Sequence, residues 1–253
     1  MSEPGGPRVV RAPDLTPGLN VLVTGGSGPS GIAVARALRQ AGFRVFTVGS
    51  DRTRIDAAAT KAGDGVTPLV CDLADPADVQ GLRTALAGTA GAMDGVIHLV
   101  GGWRGAKGIT DQSDADWDFL ERGAITTLRN VSRAFYADLA AAGTGRFAMV
   151  SSTAVDKPTA TTASYVAAKA AAETWTLAMA EGLGRGAADD GTALRGAAVV
   201  LVVKALVDAE LRTAHPERTF PGATDVVDLA AAVVGLFSRP AAELNGRRLL
   251  LTP

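Results

Sequence analysis

Short apolar runs alternate with amphipathic segments along most of the chain. The runs are apolar throughout, a pattern typical of strands that are buried on both faces. The predicted strands cover residues 20–24, 44–48, 66–71, 95–100, 146–151, 197–203 and 248–252. The predicted helices cover residues 32–40, 54–61, 75–86, 114–142, 163–182 and 226–237. This alternation indicates the α/β class, with a doubly wound, parallel seven-stranded sheet covered by helices on both faces.

The pattern predicts one domain rather than two. The domain spans residues 19–253, and a chain of 253 residues with 47% hydrophobic side chains suits a single α/β core. Residues 1–18 are rich in Pro and Gly and are predicted to form a flexible arm ahead of the fold. The polar interval 182–196 is predicted to be a surface connection.

Composition excludes several classes of function. The formal net charge is -1 and basic residues form no run, so no nucleic-acid partner is predicted. No stretch of about 20 uncharged apolar residues occurs, and the first residues lack the apolar core of a signal peptide, so no membrane span is predicted. Cys71 is the one cysteine, which rules out an internal disulfide and suits a reducing cytoplasm. No metal site is predicted, and the expected partner is a small molecule.

A glycine-rich turn follows the first predicted strand. The sequence from Thr24 to Gly31 fits Thr-Gly-x-x-Gly-x-x-Gly and leads directly into a helix. Glycines at such a turn let backbone N–H groups approach a pyrophosphate at the start of the helix, as in Rossmann-type dinucleotide-binding domains. An ordinary structural turn is the alternative. The predicted cofactor-binding residues here are Thr24, Gly25, Ser27, Gly28, Ser30, Gly31 and Ile32.

The residues after the second predicted strand bear on the choice of cofactor. An acidic residue there favours NAD by binding the adenosine ribose hydroxyls, whereas a hydroxyl with a nearby arginine favours the additional phosphate of NADP. The strand tip is Gly49 and Ser50, with Arg52 and Arg54 close behind. We therefore favour NADP(H) over NAD(H) and predict that Ser50 and Arg52 contact it. An inward turn of Asp51 would reverse the preference, and a solvated turn is the third interpretation.

The ends of the third and fourth predicted strands supply further candidates. Asp72 and Leu73 follow the third strand, where a carboxylate can meet an adenine amino group or cap the next helix. Gly101 follows the fourth strand and is small enough to let a cofactor approach. His98 lies within that strand, and we interpret it as a hydrogen-bonded core residue rather than a ligand.

The strongest catalytic pattern comes after the fifth predicted strand. Ser151 and Ser152 follow each other there, and Tyr165 and Lys169 lie four residues apart on the next helix, hence on one face. A phenol has a pKa of about 10, which makes it a poor acid–base catalyst at neutral pH, but a neighbouring ammonium and a cofactor's positive charge lower that pKa. A serine hydroxyl can bind a substrate carbonyl and stabilise a developing alkoxide. A tyrosine–lysine pair at this spacing also arises by chance.

Together these residues resemble the short-chain dehydrogenase/reductase family over residues 20–252. The matching positions are the glycine motif, Asp72, Gly101, Trp117, Ser152, Tyr165, Lys169, Asn245 and Gly246. The family's usual serine-to-tyrosine separation of thirteen residues selects Ser152 over Ser151. The resemblance implies hydride transfer between a nicotinamide and a carbonyl carbon, with Tyr165 as proton donor. It also implies Lys169 on the nicotinamide ribose, a backbone contact of Val207 with the carboxamide, and a homodimer or homotetramer built through two long central helices.

The chain departs from the family pattern at several positions. The glycine turn has the spacing of longer family members, and residues 98–101 read His-Leu-Val-Gly instead of Asn-Asn-Ala-Gly. Ala124 stands at the place of the asparagine in the family's proton relay, and Lys204-Ala205 stands at the place of Pro-Gly. A water chain to Lys169 therefore has to form without that asparagine or is absent. Lys204 adds a positive charge near the nicotinamide end, unless it is a solvated loop residue.

These features favour an NADP(H)-dependent oxidoreductase that reduces a ketone or aldehyde to an alcohol, or runs in reverse. The alternatives are a non-redox cyclase, dehydratase or epimerase on the same scaffold, and a cofactor-binding protein without catalysis. The substrate pocket is predicted to be lined by Trp103, Arg104, Lys107, Ile109 and the segments 153–162 and 206–220. Its aromatic and aliphatic residues suggest an apolar or aromatic compound. Arg104, Lys107 or Lys204 could instead pair with a carboxylate or be solvated.

Overall fold

The computed structural model describes residues 18–251. Apart from Gly18, the predicted arm over residues 1–18 therefore lies outside the described residues, as does Thr252 at the end of the last predicted strand.

The described chain has nine strands, and seven of them form one parallel sheet. The nine strands are β1 (Asn20–Thr24), β2 (Arg44–Gly49), β3 (Val66–Val70), β4 (Gly95–His98), β5 (Arg146–Ser152), β6 (Ala197–Val203), β7 (Leu206–Val207), β8 (Thr224–Asp225) and β9 (Arg248–Leu250). The sheet has the order β3-β2-β1-β4-β5-β6-β9, while β7 and β8 pair separately. The strand order reverses between β1 and β4, the place where doubly wound sheets bind ligands at their carboxyl ends. The predicted fold class is confirmed.

Helices cover both faces of this sheet. They are α1 (Pro29–Gln40), α2 (Arg52–Ala62), α3 (Pro76–Thr89), α4 (Asp114–Glu121), α5 (Thr127–Ala141), α6 (Ala163–Asp189), α7 (Ala209–Ala214), α8 (Val226–Leu236) and α9 (Ala241–Leu244). Apolar residues of α1, α2 and α8 pack on one face, and those of α3, α5 and α6 pack on the other. Two covered faces explain why the strands are apolar throughout. Within residues 18–251, no helix is long and apolar enough to cross a membrane.

The helix predicted to end at Gly182 continues to Asp189. The prediction of a surface connection over 182–196 is therefore wrong for the first half of that interval. Its glycines disfavour a helix on propensity alone, but packing overrides this preference. Leu183 is buried in the core, and Gly182 leaves room for Tyr136, whose hydroxyl would lie 2.8 Å from a Cβ at that position.

The long helix predicted over 114–142 is interrupted. Between α4 and α5 the chain makes a π-helical turn over Arg122–Thr126, which contains Ala124. Such turns widen a helix locally and are found at functional sites. Hydrophobic periodicity does not reveal the interruption, because the residues on both sides of the turn remain helical.

Three strands end earlier than predicted. β4 stops at His98 instead of Val100, because its pairing with β5 ends at the His98–Met149 pair. β3 and β9 likewise end at Val70 and Leu250. Apolar side chains continue past the last paired residue, so hydrophobicity alone places these ends too late.

A buried arginine joins the sheet to the loops around it. Arg146 begins β5 and is 3% exposed. Its guanidinium donates to the backbone carbonyls of Gly145, Arg195, Leu236 and Arg239 at 2.6–2.8 Å. Burial lowers the pKa of Arg146 to about 10, which still leaves it charged at neutral pH. The group therefore supplies donors to four carbonyls, of which that of Gly145 also accepts from the backbone N–H of Ala197.

His98 is a hydrogen-bonded core residue, as predicted. Its Nδ1 lies 2.8 Å from Thr24 Oγ1, and its Nε2 lies 3.2 Å from Thr127 Oγ1. Because Thr127 already donates its hydroxyl to the Gly123 carbonyl at 2.7 Å, Nε2 carries the proton and Nδ1 accepts from Thr24. Burial, with a smaller effect of Lys169, lowers the pKa of His98 to about 3. The ring is therefore neutral at neutral pH.

Replacing Arg146 with Met should destabilise the protein strongly. The change removes four hydrogen bonds to backbone carbonyls, and we expect the free energy of unfolding to fall by about 3 kcal/mol or more. Urea denaturation at neutral pH measures this loss. The exposed Arg195 offers a matched control, since Arg195→Met should alter the free energy of unfolding by less than about 0.5 kcal/mol. Similar losses in both variants would show that the carbonyl bonds of Arg146 are not the cause.

Stability should also depend on pH through His98. The unfolded side chain takes up a proton below its ordinary pKa of 6.5, whereas the folded side chain stays neutral down to about 3. The unfolded state therefore binds more protons in this window, and stability is lost as the pH falls through it. Between pH 7 and pH 5 we expect about 2 kcal/mol of the decrease in the free energy of unfolding to come from this group.

Urea denaturation of His98→Gln across the same pH range tests this origin. Glutamine cannot take up the proton, so the variant should lose less stability on acidification than the parent protein. His215→Gln removes the other histidine of the chain and should keep the parent's pH dependence. An unchanged pH dependence in His98→Gln would contradict the assignment.

Candidate active site

The turn between β1 and α1 is shaped for an anion. Gly25 has a φ of +73°, and a Cβ there would lie 2.8 Å from the carbonyl carbon of Leu99, so glycine is required. α1 starts at Pro29 with Gly28 as its N-cap, and among the described residues no side chain caps its first N–H groups. Its first turn also lacks an acidic residue. Free N–H groups at the positive end of a helix dipole suit a pyrophosphate.

A cleft of about 560 Å³ opens beside this turn. The predicted cofactor residues in its wall are Gly25, Ser27, Gly28, Ser50, Asp72, Leu73 and Gly101. The structure thus brings the glycine turn and the ends of β2, β3 and β4 together around one space. Arg54, Phe119 and Arg122 also line it, and the sequence analysis did not assign them to the site.

The other predicted residues of the glycine turn do not line the cleft. Thr24 is fully buried, and its hydroxyl is bonded to His98. Ser30, Gly31 and Ile32 belong to the first turn of α1, where their backbone groups face the helix start.

The charged residues that follow β2 differ in what their side chains contact. Asp51 caps α2 by accepting from the backbone N–H of Arg54 at 2.8 Å, so its carboxylate is engaged by the helix. Arg52 lies 3.4 Å from Asp56 one helical turn along and is not part of the cleft wall. Arg54 lines the cleft together with Ser50. An aspartate three residues ahead of Arg54 is a helix-cap signal, and it could have indicated which arginine faces the site.

Asp72 is engaged by an arginine. Its Oδ2 accepts from Arg122 at 2.6 Å, and its Oδ1 accepts from the backbone N–H of Ala74 at 3.0 Å. Arg122 begins the π-helical turn, so this ion pair links that turn to the end of β3 across the cleft. No sequence signal pairs these two residues, which are 50 positions apart.

The three predicted catalytic residues lie together where β5 ends and α6 begins. Ser152 ends β5, is 5% exposed and accepts from the backbone N–H of Ala154 at 3.2 Å. Tyr165 lies on the first turns of α6, one turn ahead of Lys169. Burial raises the pKa of Tyr165, and the bond from Ser152 opposes this effect. The phenol therefore keeps its proton at neutral pH.

Lys169 lies one helical turn beyond Tyr165 and is 8% exposed. Its ammonium donates to the carbonyl of Val150 at 2.9 Å. Burial lowers the pKa of Lys169 to about 8, and the negative charge of Glu173 opposes the decrease. Gly101 passes directly over the ammonium, since a Cβ at Gly101 would lie 3.3 Å from Lys169 Nζ. Lys169 is thus held at the floor of the cofactor cleft.

Ser152 lines a second cavity. It has a volume of about 490 Å³ and is lined by Ser152, Thr153, Ala154, Asp156, Lys157 and Lys204. Part of the segment 153–162, which was predicted to line the substrate pocket, therefore lines this cavity. Lys204 also donates to the carbonyl of Pro221 at 2.8 Å, which ties the turn after β6 to a neighbouring loop.

The loops after β4 and β5 are joined above these cavities. The backbone N–H of Ala106 donates to Thr161, and Gln112 donates to Ala160, both at 2.9 Å. Of the other predicted pocket residues, Trp103 and Ile109 are exposed on this loop, together with Lys107.

Arg104 faces α4 rather than either cavity. Its guanidinium lies 4.0 Å from the ring centre of Phe119 and 3.3 Å from Asp116. The predicted segment 206–220 contains β7 and α7, and Val207 is buried where β7 pairs with β8.

The residues present fit a dinucleotide. The glycine turn leaves backbone N–H groups free, Gly101 keeps a path open to Lys169, and the cleft between them is long enough to join both places. No group of three or more His, Cys, Asp or Glu side chains in residues 18–251 is arranged to hold a metal ion.

Comparison with known proteins agrees with this geometry. A family model described as short chain dehydrogenase matches residues 19–216. The gluconate 5-dehydrogenase of Gluconobacter oxydans is 28% identical over 246 residues, which are 94% of this chain and 96% of that protein. An uncharacterized short-chain type dehydrogenase/reductase of Sinorhizobium fredii is 34% identical over 99 residues, which are 39% of this chain and 37% of that protein.

A solved structure shows the same fold. It is a gluconate 5-dehydrogenase from Burkholderia cenocepacia in complex with NADP and tartrate, with a TM-score of 0.75 and 24% identity, covering 93% of this chain and 94% of that one. The family match covers most of the chain, and the sheet order and the tyrosine–lysine helix are consistent with it. The chain belongs to the short chain dehydrogenase family of oxidoreductases.

Proposed function

We propose that the protein is an NADP(H)-dependent oxidoreductase that reduces a ketone or aldehyde to an alcohol, or catalyses the reverse reaction. The observation that carries this proposal is the bond of the buried Lys169 ammonium to the Val150 carbonyl of β5, which brings the tyrosine–lysine turn of α6 to the strand end that carries Ser152. A carbonyl-binding hydroxyl, a proton donor and a positive charge thus lie close together beside the second cavity, which Ser152 lines.

Ser152 and Tyr165 act on the oxygen of the substrate. The Ser152 hydroxyl donates a hydrogen bond to the carbonyl oxygen and stabilises the negative charge that develops there. Tyr165 gives its phenolic proton to the same oxygen as the alcohol forms, and in the reverse direction the phenolate takes that proton back. Burial raises the pKa of Tyr165, so the phenol is in the protonated form that a donor requires.

Lys169 stabilises the phenolate that remains after proton transfer. With a pKa of about 8, its ammonium is mostly charged at neutral pH. The Val150 carbonyl holds it in place at 2.9 Å. A positive charge in a site with little water favours the charged form of a neighbouring phenol. When bound, the cofactor supplies the hydride for this reduction.

The proposal also assigns the residues that bind the cofactor. Backbone groups from Thr24 to Ile32 bind the pyrophosphate, while Asp72 and Leu73 border the adenine. Lys169 binds the nicotinamide ribose, and the backbone of Val207 contacts the carboxamide.

The β2 tip supports NADP(H) over NAD(H). Asp51 is occupied as a helix cap, which removes the carboxylate that would favour ribose hydroxyls. Ser50 and Arg54 line the cleft and can bind the additional phosphate. Arg54 is better placed than Arg52 because Arg54 lines the cleft and Arg52 does not. Each arginine also lies near a carboxylate, Arg52 at 3.4 Å from Asp56 and Arg54 at 3.8 Å from Asp51. The similar gluconate 5-dehydrogenase structure contains NADP, which agrees with this preference.

The proposal includes a homodimer or homotetramer in the cytoplasm. A shallow apolar groove of about 460 Å³ runs along α5 and α6 and is lined by Ser132, Arg133, Tyr136, Trp175, Ala178 and Met179. These are the two long central helices through which the family assembles. The single buried cysteine is compatible with a reducing compartment.

Replacing Tyr165 with Phe should abolish reduction without loss of cofactor binding. We expect the rate of NADPH oxidation with a reactive ketone or aldehyde to fall at least about a hundredfold, because the proton donor is removed. NADPH affinity, measured by calorimetry, should change less than about twofold, because the ring remains in place. Tyr136→Phe removes the hydroxyl of the other tyrosine and should leave both quantities unchanged.

Other outcomes would select the alternative functions. Retained reduction in Tyr165→Phe would remove this residue from the role of proton donor. Substrate conversion without a change in nicotinamide absorbance would favour a cyclase, dehydratase or epimerase. NADPH binding by the parent protein without turnover of any carbonyl compound would favour a non-catalytic cofactor-binding protein.

Arginine substitutions on α2 test the cofactor preference. Arg54→Ala should weaken NADPH binding by about tenfold or more, because a charged hydrogen bond to the additional phosphate is lost. NADH binding should change by less than about twofold, because NADH lacks that phosphate. Arg52→Ala is the matched control and should have the smaller effect on NADPH. A larger effect of Arg52→Ala would restore the assignment made from sequence, and equal losses for both cofactors would contradict NADP preference.

A further inference from the structure

Two lysines border the cavity beside Ser152. Lys157 comes from the segment after β5, and Lys204 comes from the turn after β6. They reach the same space of about 490 Å³ from different elements of the fold, and Ser152 forms part of its wall. A molecule bound to Ser152 through a carbonyl oxygen therefore extends toward two ammonium groups.

The protein itself does not neutralise these two charges. In the part of the chain that the structure describes, neither ammonium has a carboxylate oxygen within 4.0 Å. Lys204 donates instead to the neutral carbonyl of Pro221 at 2.8 Å, which leaves two of its N–H donors free. Both side chains are solvent-exposed, so they are available to a ligand.

The nearest acidic residue of the cavity is already paired. Asp156 lies 3.1 Å from Arg248, and Arg248 also donates to the buried carboxylate of Glu173 at 2.7 Å. The negative charge of Asp156 is therefore directed toward β9 and α6 rather than toward the lysines. Among the residues that line the cavity, the two lysine charges therefore remain without a carboxylate partner.

We propose that this cavity binds a substrate carrying a carboxylate, held by Lys157 and Lys204 while its ketone or aldehyde oxygen meets Ser152 and Tyr165. The inference rests on the proposed function and narrows its substrate class to oxo acids and their hydroxy acid products. Two separate ammonium groups act as point charges, each suited to one oxygen of a carboxylate. Because the lysines are exposed, solvent screens the attraction, and each contributes a modest factor to affinity.

Matched substrates test the charge requirement. The probes are 4-oxopentanoate and its methyl ester, which share the ketone and differ in charge. The parent protein should reduce the acid with the lower KM. In Lys157→Met and in Lys204→Met we expect the KM of the acid to rise about fivefold, and about twentyfold in the double variant, with kcat within about twofold. The KM of the ester should not change.

Two further variants distinguish a loss of charge from a change in structure as the cause of a raised KM. Lys204→Arg keeps the positive charge and should retain the preference for the acid even if the bond to Pro221 is altered. Arg195→Met removes an exposed charge ahead of the amino end of β6, away from this cavity, and should have no effect. An equal rise in KM for acid and ester, or an equal effect of Arg195→Met, would overturn the assignment of the carboxylate site.

A binding measurement distinguishes this proposal from the proposed reaction. Calorimetry with succinate at low ionic strength needs no turnover and no cofactor. Succinate should bind the parent protein and bind the double variant at least about tenfold more weakly, while dimethyl succinate should not bind. Absence of succinate binding, or equal binding by both proteins, would overturn the anion site. Succinate binding without reduction of either oxo compound would support the anion site and count against the proposed reaction alone.

Discussion

Burial of one ammonium group constrains the architecture around it. Lys169 is almost inaccessible to water, and a charge removed from water is costly unless other groups compensate it. The Val150 carbonyl binds the ammonium, Glu173 lies one turn further along α6, and Arg248 binds Glu173 in turn. The missing side chain of Gly101 leaves the space above it open. Alternating charges thus extend from the tyrosine–lysine helix to the last strand, and they maintain the positive charge on which the proposed proton transfer depends.

The fold follows from patterns that are local in sequence. Each strand is a short apolar run and each covering helix has its own periodicity, so the parallel sheet and its two covered faces are predictable from the chain alone. Element ends are less predictable, because they depend on distant partners. β4 ends at His98, whose partner Met149 is the last residue of β5 that pairs with β4. α6 continues through three glycines because Leu183 is buried by other elements. Neither partner is visible in the local sequence.

In the candidate site, too, local patterns were predictable and contacts between distant residues were not. Motifs with fixed spacing located the glycine turn between β1 and α1 and the tyrosine–lysine pair on one turn of α6, since a strand end and a helical turn convert spacing into position. Contacts between distant segments were not predictable. The cap that Asp51 makes on Arg54 is a local signal that the sequence does carry, but the pairing of Asp72 with Arg122 depends on a π-helical turn. Side-chain choices of this kind are decided by three-dimensional neighbours, which a single sequence does not reveal.

Cys71, the one cysteine of the chain, lines the cofactor cleft and is 5% exposed. Burial, together with the nearby carboxylates of Asp78, Asp72 and Asp75, raises the pKa of its thiol to about 11. Almost no thiolate exists at neutral pH, and the thiolate is the form that reacts with electrophiles. Alkylation of Cys71 therefore requires local opening at the end of β3. The rate at which a thiol reagent labels Cys71 therefore measures how often this side of the cleft opens. The same rate measures how much a bound dinucleotide reduces that opening.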